Sequence, residues 1–311
     1  MEVGGREAST PQQFLRDRYG AAVQRVEKLG QGQWSRAYSF DFEGRGYVVR
    51  FGAHEEDFVK DRRAVRYASA ALPIPRVTEI GAVAGGFYAV SELLSGTFLD
   101  HLDAHDLRAT LPSVWTMLGS LRTSDVSTTS GYGLWDATGE APYGSWRSFL
   151  RDVVFERPWQ RTTGWRRRLS ALPDAEAAFL DAGKVLHALT DNTYEVRHLV
   201  HADTLNRNVL TSNHSVSGVL DWGCALYGDF LYDVAWFSFW APWFDSLRDI
   251  DVRREALDHF ASVGVAVADF EERMRACEVH IGMCHIAYSA WLGDRGDIGT
   301  VVERTVAVST V

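Results

Sequence analysis

Three polar residues at short, countable intervals point to one chemistry. The run His201-Ala202-Asp203-Thr204-Leu205-Asn206-Arg207-Asn208 is followed further along by Val219-Leu220-Asp221-Trp222. Between them, Val209 to Thr211 and Val216 to Leu220 read as strands joined through Ser212-Asn213-His214-Ser215, an antiparallel hairpin. Asn208 and Asp221 then stand side by side at its open end. An amide oxygen and a carboxylate meeting at one point make a hard, oxygen-only site suited to Mg²⁺, which keeps waters and phosphate oxygens in its other positions. Asp203 lies five residues before Asn208 and can face that pair without being a ligand. That is the place for a carboxylate that orients an acceptor hydroxyl and takes its proton. His201 reads as a buttress of the loop backbone rather than a proton-transfer group. Such residues also serve as plain turn formers; the intervening hairpin and a glycine-rich segment upstream favour chemistry.

Phosphoryl transfer also needs a nucleotide cradle. Leu29-Gly30-Gln31-Gly32-Gln33-Trp34-Ser35-Arg36 precedes the first long hairpin. Backbone amides at Gly30 and Gly32 would close over phosphates there, with the Ser35 hydroxyl as a further donor. The spacing departs from G-x-G-x-x-G and equally fits a strand-to-strand turn. The next strand ends Val48-Val49-Arg50-Phe51, where a kinase-like fold wants a cation on the α- and β-phosphates, paired with an acid on the following helix. Lysine and glutamate are the usual pair; here Arg50 and Asp61 offer a longer base and a shorter acid, and arginine grips phosphate in a bidentate manner. Adenine would be read by backbone groups of Glu92 to Leu94. In Gly228-Asp229-Phe230-Leu231-Tyr232-Asp233, Asp229 and Asp233 either face the substrate or cap the next helix and brace the catalytic loop.

The elements that must hold these groups divide the 311 residues in two. Residues 1–95 are β-rich: Arg36 to Phe42 and Tyr47 to Phe51 form a hairpin through Glu43-Gly44-Arg45-Gly46, and Arg76 to Ile80 and Phe87 to Leu93 add two strands. A charged helix over Glu55 to Ala71 is stopped by Leu72-Pro73-Ile74-Pro75, and Gly96 marks a hinge. Residues 96–311 turn helical, with periods over Leu107 to Arg122, Ser145 to Phe155, Asp174 to Leu189, Arg253 to Ser262 and Asp269 to Leu292, Asp174 being an N-cap. The expected fold is α+β and protein-kinase-like, a small β-rich lobe followed by a larger helical lobe with the catalytic hairpin set into it.

The composition is that of a folded globular chain, 46% apolar and 23% charged. A net charge of -9 speaks against a nucleic-acid binder and fits a cationic substrate. Cys224, Cys277 and Cys284 have no C-x-x-C spacing and read as buried free thiols rather than a disulfide framework or a zinc site. Met1 to Thr10 lacks the apolar run of a signal peptide, and Val234 to Phe244 is too short to cross a bilayer. The expectation is a cytoplasmic monomer with no membrane partner.

Several segments carry a resemblance over nearly the whole chain: Ser35 to Asp41, Gly44 to Val48, Ala68 to Pro75, Arg197 to Asp203 and Phe239 to Trp243. They resemble the aminoglycoside phosphotransferase family. The resemblance implies ATP- or GTP-dependent O-phosphorylation of an aminocyclitol antibiotic of the hygromycin B kind, inactivating it. It places Asp203 as base, Asn208 and Asp221 on Mg²⁺, a cationic sugar in an acidic cleft and Trp240 and Trp243 as sugar-stacking rings. Thr204 to Arg207 and the segment after Leu292 depart from that pattern, and both border the acceptor. A kinase of another alcohol (a macrolide, an amino alcohol or a sugar) therefore stays open, as does a nucleotide-binding module without transferase activity.

Overall fold

The computed structural model describes residues 10–191, 195–293 and 295–310. Thr10 opens the first helix, α1 (Pro11–Tyr19): its hydroxyl accepts the Gln13 N–H at 3.2 Å and Pro11 supplies a preset first turn. Strands β1 (Gln24–Gln31), β2 (Ser35–Phe42) and β3 (Arg45–Gly52) follow, then α2 (Glu55–Ala64), β4 (Val77–Val83) and β5 (Gly86–Glu92). The five strands form one antiparallel sheet ordered β1-β2-β3-β5-β4. Glu43 and Gly44 close the β2–β3 hairpin at φ 50° and 76°, the two-residue turn that matches strand twist.

Alternation along the strands separates two faces. Phe40, Val49, Phe51, Tyr88 and Val90 pack with Leu15 of α1, while Phe58 of α2 meets Val77 and Ala89. Arg50, between Val49 and Phe51, therefore points away from α1 and toward α2. The helix expected to reach Ala71 stops at Ala64, and a single 3₁₀ turn, Val65–Tyr67, follows. Ser69 and Leu72 then exchange backbone hydrogen bonds of 3.0 and 3.2 Å, a closed turn that a helix could not contain.

After Gly96 the chain enters the second lobe through β6 (Thr97–Phe98). A Cβ on Gly96, at φ 157°, would lie 2.6 Å from Ser217 Oγ and 2.7 Å from the Thr211 carbonyl, so this crossing point has room only for glycine. Helix α3 (Ala104–Thr123) is capped by Asp103, and β7 (Gly133–Leu134), α4 (Trp146–Asp152), α5 (Trp165–Leu169) and α6 (Pro173–Leu189) follow. Asp174 is not the N-cap of α6: Leu172 holds that position and Pro173 begins the helix. Asp174 lies in the first turn, where its charge meets the positive end of the helix dipole.

Next come β8 (His198–Val200), β9 (Val209–Ser212), β10 (Ser215–Val219) and β11 (Leu226–Gly228), forming two small sheets, β10-β9-β6 and β7-β11-β8. Helices α7 (Leu231–Trp240), α8 (Val252–Ser262), α9 (Phe270–Leu292) and α10 (Arg295–Thr310) complete the lobe. Its core gathers Val234 and Phe237 of α7 with Val279, Ile281 and Met283 of α9. No helix among the described residues is long and apolar enough to cross a membrane. Of the three thiols expected to be buried, Cys277 is buried and Cys284 partly so, but Cys224 is exposed, because it lies on the open loop three residues beyond Asp221.

Candidate active site

The catalytic segment runs from the end of β8 into β9 with unusual backbone. Ala202, Asn206, Arg207 and Asp221 all take positive φ, between 57° and 64°. Such conformations persist only where the surroundings over-determine them. Here Asp233 of α7 does so, accepting the His201 N–H at 2.9 Å and the Ala202 N–H at 2.8 Å. His201 is fully enclosed and its Nε2 lies 2.9 Å from the Leu220 carbonyl, joining the loop to the strand that leads to Asp221. Burial lowers its pKa to about 4, so the ring is neutral and suits a bracing role.

Asp203 accepts a hydrogen bond from Asn206 Nδ2 at 2.9 Å and another from Asn208 Nδ2 at 2.9 Å. Burial raises its pKa to about 7; the charge on Asp221 adds to this and the two amides oppose it. Because Asn208 spends its NH₂ on the carboxylate and carbonyl of Asp203, its Oδ1 is left without a hydrogen bond among the described residues. The Leu220 N–H to Asn208 carbonyl bond, 2.7 Å, closes the hairpin end and brings Asp221 beside it. Asp221 is exposed, with only a long 3.4 Å bond from the Gly223 N–H. Asn208 Oδ1 and the Asp221 carboxylate are thus two free oxygen donors that could hold a hard divalent cation. Among the described residues no group of three or more His, Cys, Asp or Glu side chains forms a metal cage.

The nucleotide side is built by the first lobe. Arg50 forms an ion pair with Asp61, which is only 5% exposed. Burial works against the Arg50 charge, and the carboxylates of Asp61, Asp221 and Asp57 more than offset it. The second oxygen of Asp61 accepts the Trp222 N–H at 2.8 Å, and the neighbouring Lys60 donates to the Gly223 carbonyl at 2.6 Å. Two adjacent residues of α2 thereby hold the backbone on both sides of the peptide between Trp222 and Gly223, just past Asp221. Lys60, buried against the Trp135 ring, was not foreseen from the sequence; adjacency to Asp61 on the same helix was its one signal.

Gly30 lies within β1 opposite Ala37, and a Cβ there would touch nothing within 4 Å. The Gly32 amide is not available to a ligand, because it donates to the Ser35 carbonyl at 2.9 Å and closes the turn. Among the described residues the Gln33 and Trp34 amides at the tip, next to Ser35 in the chain, have no hydrogen-bond partner. At the connection between lobes, the Leu93 N–H bonds the Gly46 carbonyl and the Glu92 side chain accepts the Arg76 N–H at 3.2 Å, whereas the Leu94 N–H has no partner among the described residues. A cavity of about 250 Å³ lies beside the turn, lined by Gln31 to Arg36, Gly52 and Val83 to Phe87; it reaches none of Asp203, Asn208 or Asp221.

Of the two readings of Asp229, the helix-capping one holds, its Oδ1 accepting the Leu231 N–H at 3.1 Å at the start of α7, and the substrate-facing one is corrected. Asp229 is 1% exposed and held by Arg273 through two bonds of 2.8 and 2.7 Å, an internal ion pair with no substrate face. Trp243 is 39% exposed and stacks on Phe239 at 6.1 Å, while Trp240 is more enclosed, edge-on to His285 at 4.5 Å and to Trp243 at 5.0 Å. Tyr288 joins them through His285, and burial raises its pKa, with the charges of Cys224 and Asp203 adding to this. His285, Tyr288 and Trp291 recur every third residue on α9, a spacing that would have singled out this wall.

The phosphotransferase enzyme family model matches residues 25–268. Over 238 residues the chain is 37% identical to Hygromycin-B 4-O-kinase of Escherichia coli, spanning 76% of this chain and 68% of that one. A crystal structure of a thermostable mutant of aminoglycoside phosphotransferase APH(4)-Ia, in ternary complex with AMP-PNP and hygromycin B, matches with TM-score 0.85 and 32% identity, covering 97% of this chain and 98% of that. Spectinomycin phosphotransferase APH(9)-Ia, solved with ADP and spectinomycin, matches with TM-score 0.61 at 12% identity, over 96% of this chain and 97% of that, and shares the fold alone.

Proposed function

The chain belongs to the phosphotransferase enzyme family, and from that membership we propose that it moves the γ-phosphoryl group of ATP to a hydroxyl of an aminoglycoside of the hygromycin B kind. The observation that carries this is the Asp203 carboxyl, held by two asparagine amides beside the hairpin end that presents Asn208 and Asp221. Asp203 orients the acceptor hydroxyl and receives its proton as the oxygen attacks. Asn208 Oδ1 and Asp221 would hold Mg²⁺, which when bound draws off charge from the phosphates. Arg50, fixed by Asp61, faces the phosphates, with the Gln33 and Trp34 amides and Ser35 above them. Glu92 and Leu94 lend backbone groups to adenine, and Trp243 with Trp240 offers a ring surface to the sugar.

The test is ADP release measured against hygromycin B, other aminoglycosides, a macrolide and choline. Release with hygromycin B is expected. Release with only a different alcohol would move the acceptor, and silence despite ATP binding would leave a nucleotide-binding module. Asp203→Asn should lower kcat by about 10²–10⁴-fold with nucleotide affinity kept, since only proton acceptance is lost. Unchanged turnover would remove Asp203 from its role.

A further inference from the structure

Trp34 sits at the tip of the β1–β2 turn, and no side-chain role above uses it. Its indole stacks on Trp291, near the end of α9, with centroids 5.7 Å apart and planes 18° from parallel. The Arg161 guanidinium lies 5.7 Å from the same ring, and His54 approaches at 5.8 Å. Both partners from the second lobe are themselves anchored. Arg161 makes two bonds to Asp57 of α2, 2.8 and 2.7 Å; Trp291 stacks on Tyr288 at 5.9 Å, and its carbonyl accepts from Arg168.

The turn needs none of this to form, since the Gly32 to Ser35 hydrogen bond already closes it. A tip with few contacts opens readily, and a loop that must be ordered by its ligand weakens binding by the cost of ordering. Stacking between aromatic planes and a cation over the ring remove that freedom in advance. We infer that Trp34 is a positioning residue: through Trp291 and Arg161 it fixes the free amides of Gln33 and Trp34 over the nucleotide phosphates. Nucleotide affinity is then set in part by Trp291, a residue of the acceptor lobe that does not touch the nucleotide. The inference rests on the reading, given above, that this turn faces the phosphates.

The experiment is a titration of the full chain with a fluorescent ATP analogue and Mg²⁺, without acceptor. Wild type, Trp34→Ala, Trp291→Ala and the double variant are compared, together with Trp34→Phe. Trp34→Ala should bind about tenfold more weakly and Trp291→Ala several-fold more weakly, since Arg161 still holds the ring there, and the double variant should match Trp34→Ala, because that change already removes the contact with Trp291. Trp34→Phe, which can still stack, should recover most of the loss and show that the alanine variants fail by contact rather than by folding. Wild-type affinity in either single variant, or losses that add in the double variant, would overturn the inference while the phosphotransferase reading stands. A wild type that binds no nucleotide would overturn both, the reading itself being what failed.

Discussion

A carboxyl group poised near neutrality suits an acceptor hydroxyl better than an ordinary aspartate would, because it is a stronger base while still ionised for much of the time. Burial gives Asp203 this property, and Asn206 and Asn208 temper it by donating to one carboxylate oxygen each. Asn208 thus has two tasks on two ends of one amide, whereas Asp221 has one. Asp221→Asn keeps an oxygen but loses the charge, and should raise the Mg²⁺ needed for half-maximal rate by at least about tenfold. Initial rates across a Mg²⁺ series decide it; an unshifted midpoint would exclude Asp221 as a ligand. These three residues were legible because one hairpin relates them, so counting along the chain gives their proximity. Asp233 was legible as a brace of the catalytic loop, and it is one, across 32 residues to His201; Lys60 and Tyr288 were not, since each meets the site only after the chain folds back, Lys60 across 163 residues to Gly223. The substrate-facing reading of Asp229 failed for the complementary reason. Nothing near it in sequence announces Arg273, 44 residues on, which takes its charge out of the cleft.

At the scale of elements, α2 is the link between nucleotide and metal halves. Asp61 pairs with Arg50 on β3 and accepts from Trp222, so its loss frees both at once. Asp61→Asn leaves a buried guanidinium uncompensated and should cost about 3–5 kcal/mol in urea unfolding. It should also weaken nucleotide binding several-fold, by about 1 kcal/mol or more, as Arg50 and the Asp221 loop drift. Asp229→Asn breaks a more deeply buried pair that has no bond to α2, so it should lower stability by a similar amount of about 3–5 kcal/mol and leave nucleotide affinity alone. Equal effects of the two variants on nucleotide binding would mean that α2 is merely one more helix. Which elements could be foreseen follows from their burial. Hairpins announced themselves through Glu43-Gly44 and Asn213-His214, turns whose residues take positive φ. Helix α7 is buried almost all round, so no polar face marks its period and it read only as an apolar run. Helix α1 had a readable start in Thr10-Pro11 that the β-rich texture around it obscured.

Across the whole molecule, buried titratable groups set how folding responds to acid. Burial lowers the pKa of His201 to about 4, of His280 to about 3 and of His285 to about 4. In the unfolded chain each would titrate near 6.5, so their contribution is present above that pH and is lost as pH falls through the folded values. Asp203 and Asp233 run the other way: burial raises them to about 7 and about 6, so the fold holds their protons and gains stability as pH falls toward 3.8. Near pH 5 the unfolded state holds three more protons on the histidines and the folded state two more on the aspartates. Among these five groups the balance is one proton, a loss of about 1.4 kcal/mol per pH unit on acidification. His285 is the clean place to test this. Its ring is surrounded by Trp236, Trp240 and Tyr288 and makes no hydrogen bond among the described residues, so phenylalanine replaces it without stranding a partner. His285→Phe should match wild type at pH 8 and exceed it at pH 5 by about 2 kcal/mol, since the variant has no ring to protonate on unfolding. Urea unfolding at the two pH values reads the difference directly. An equal loss between pH 8 and pH 5 in both proteins would show that His285 is already protonated in the fold, and that the aromatic wall beside Asp203 carries a positive charge.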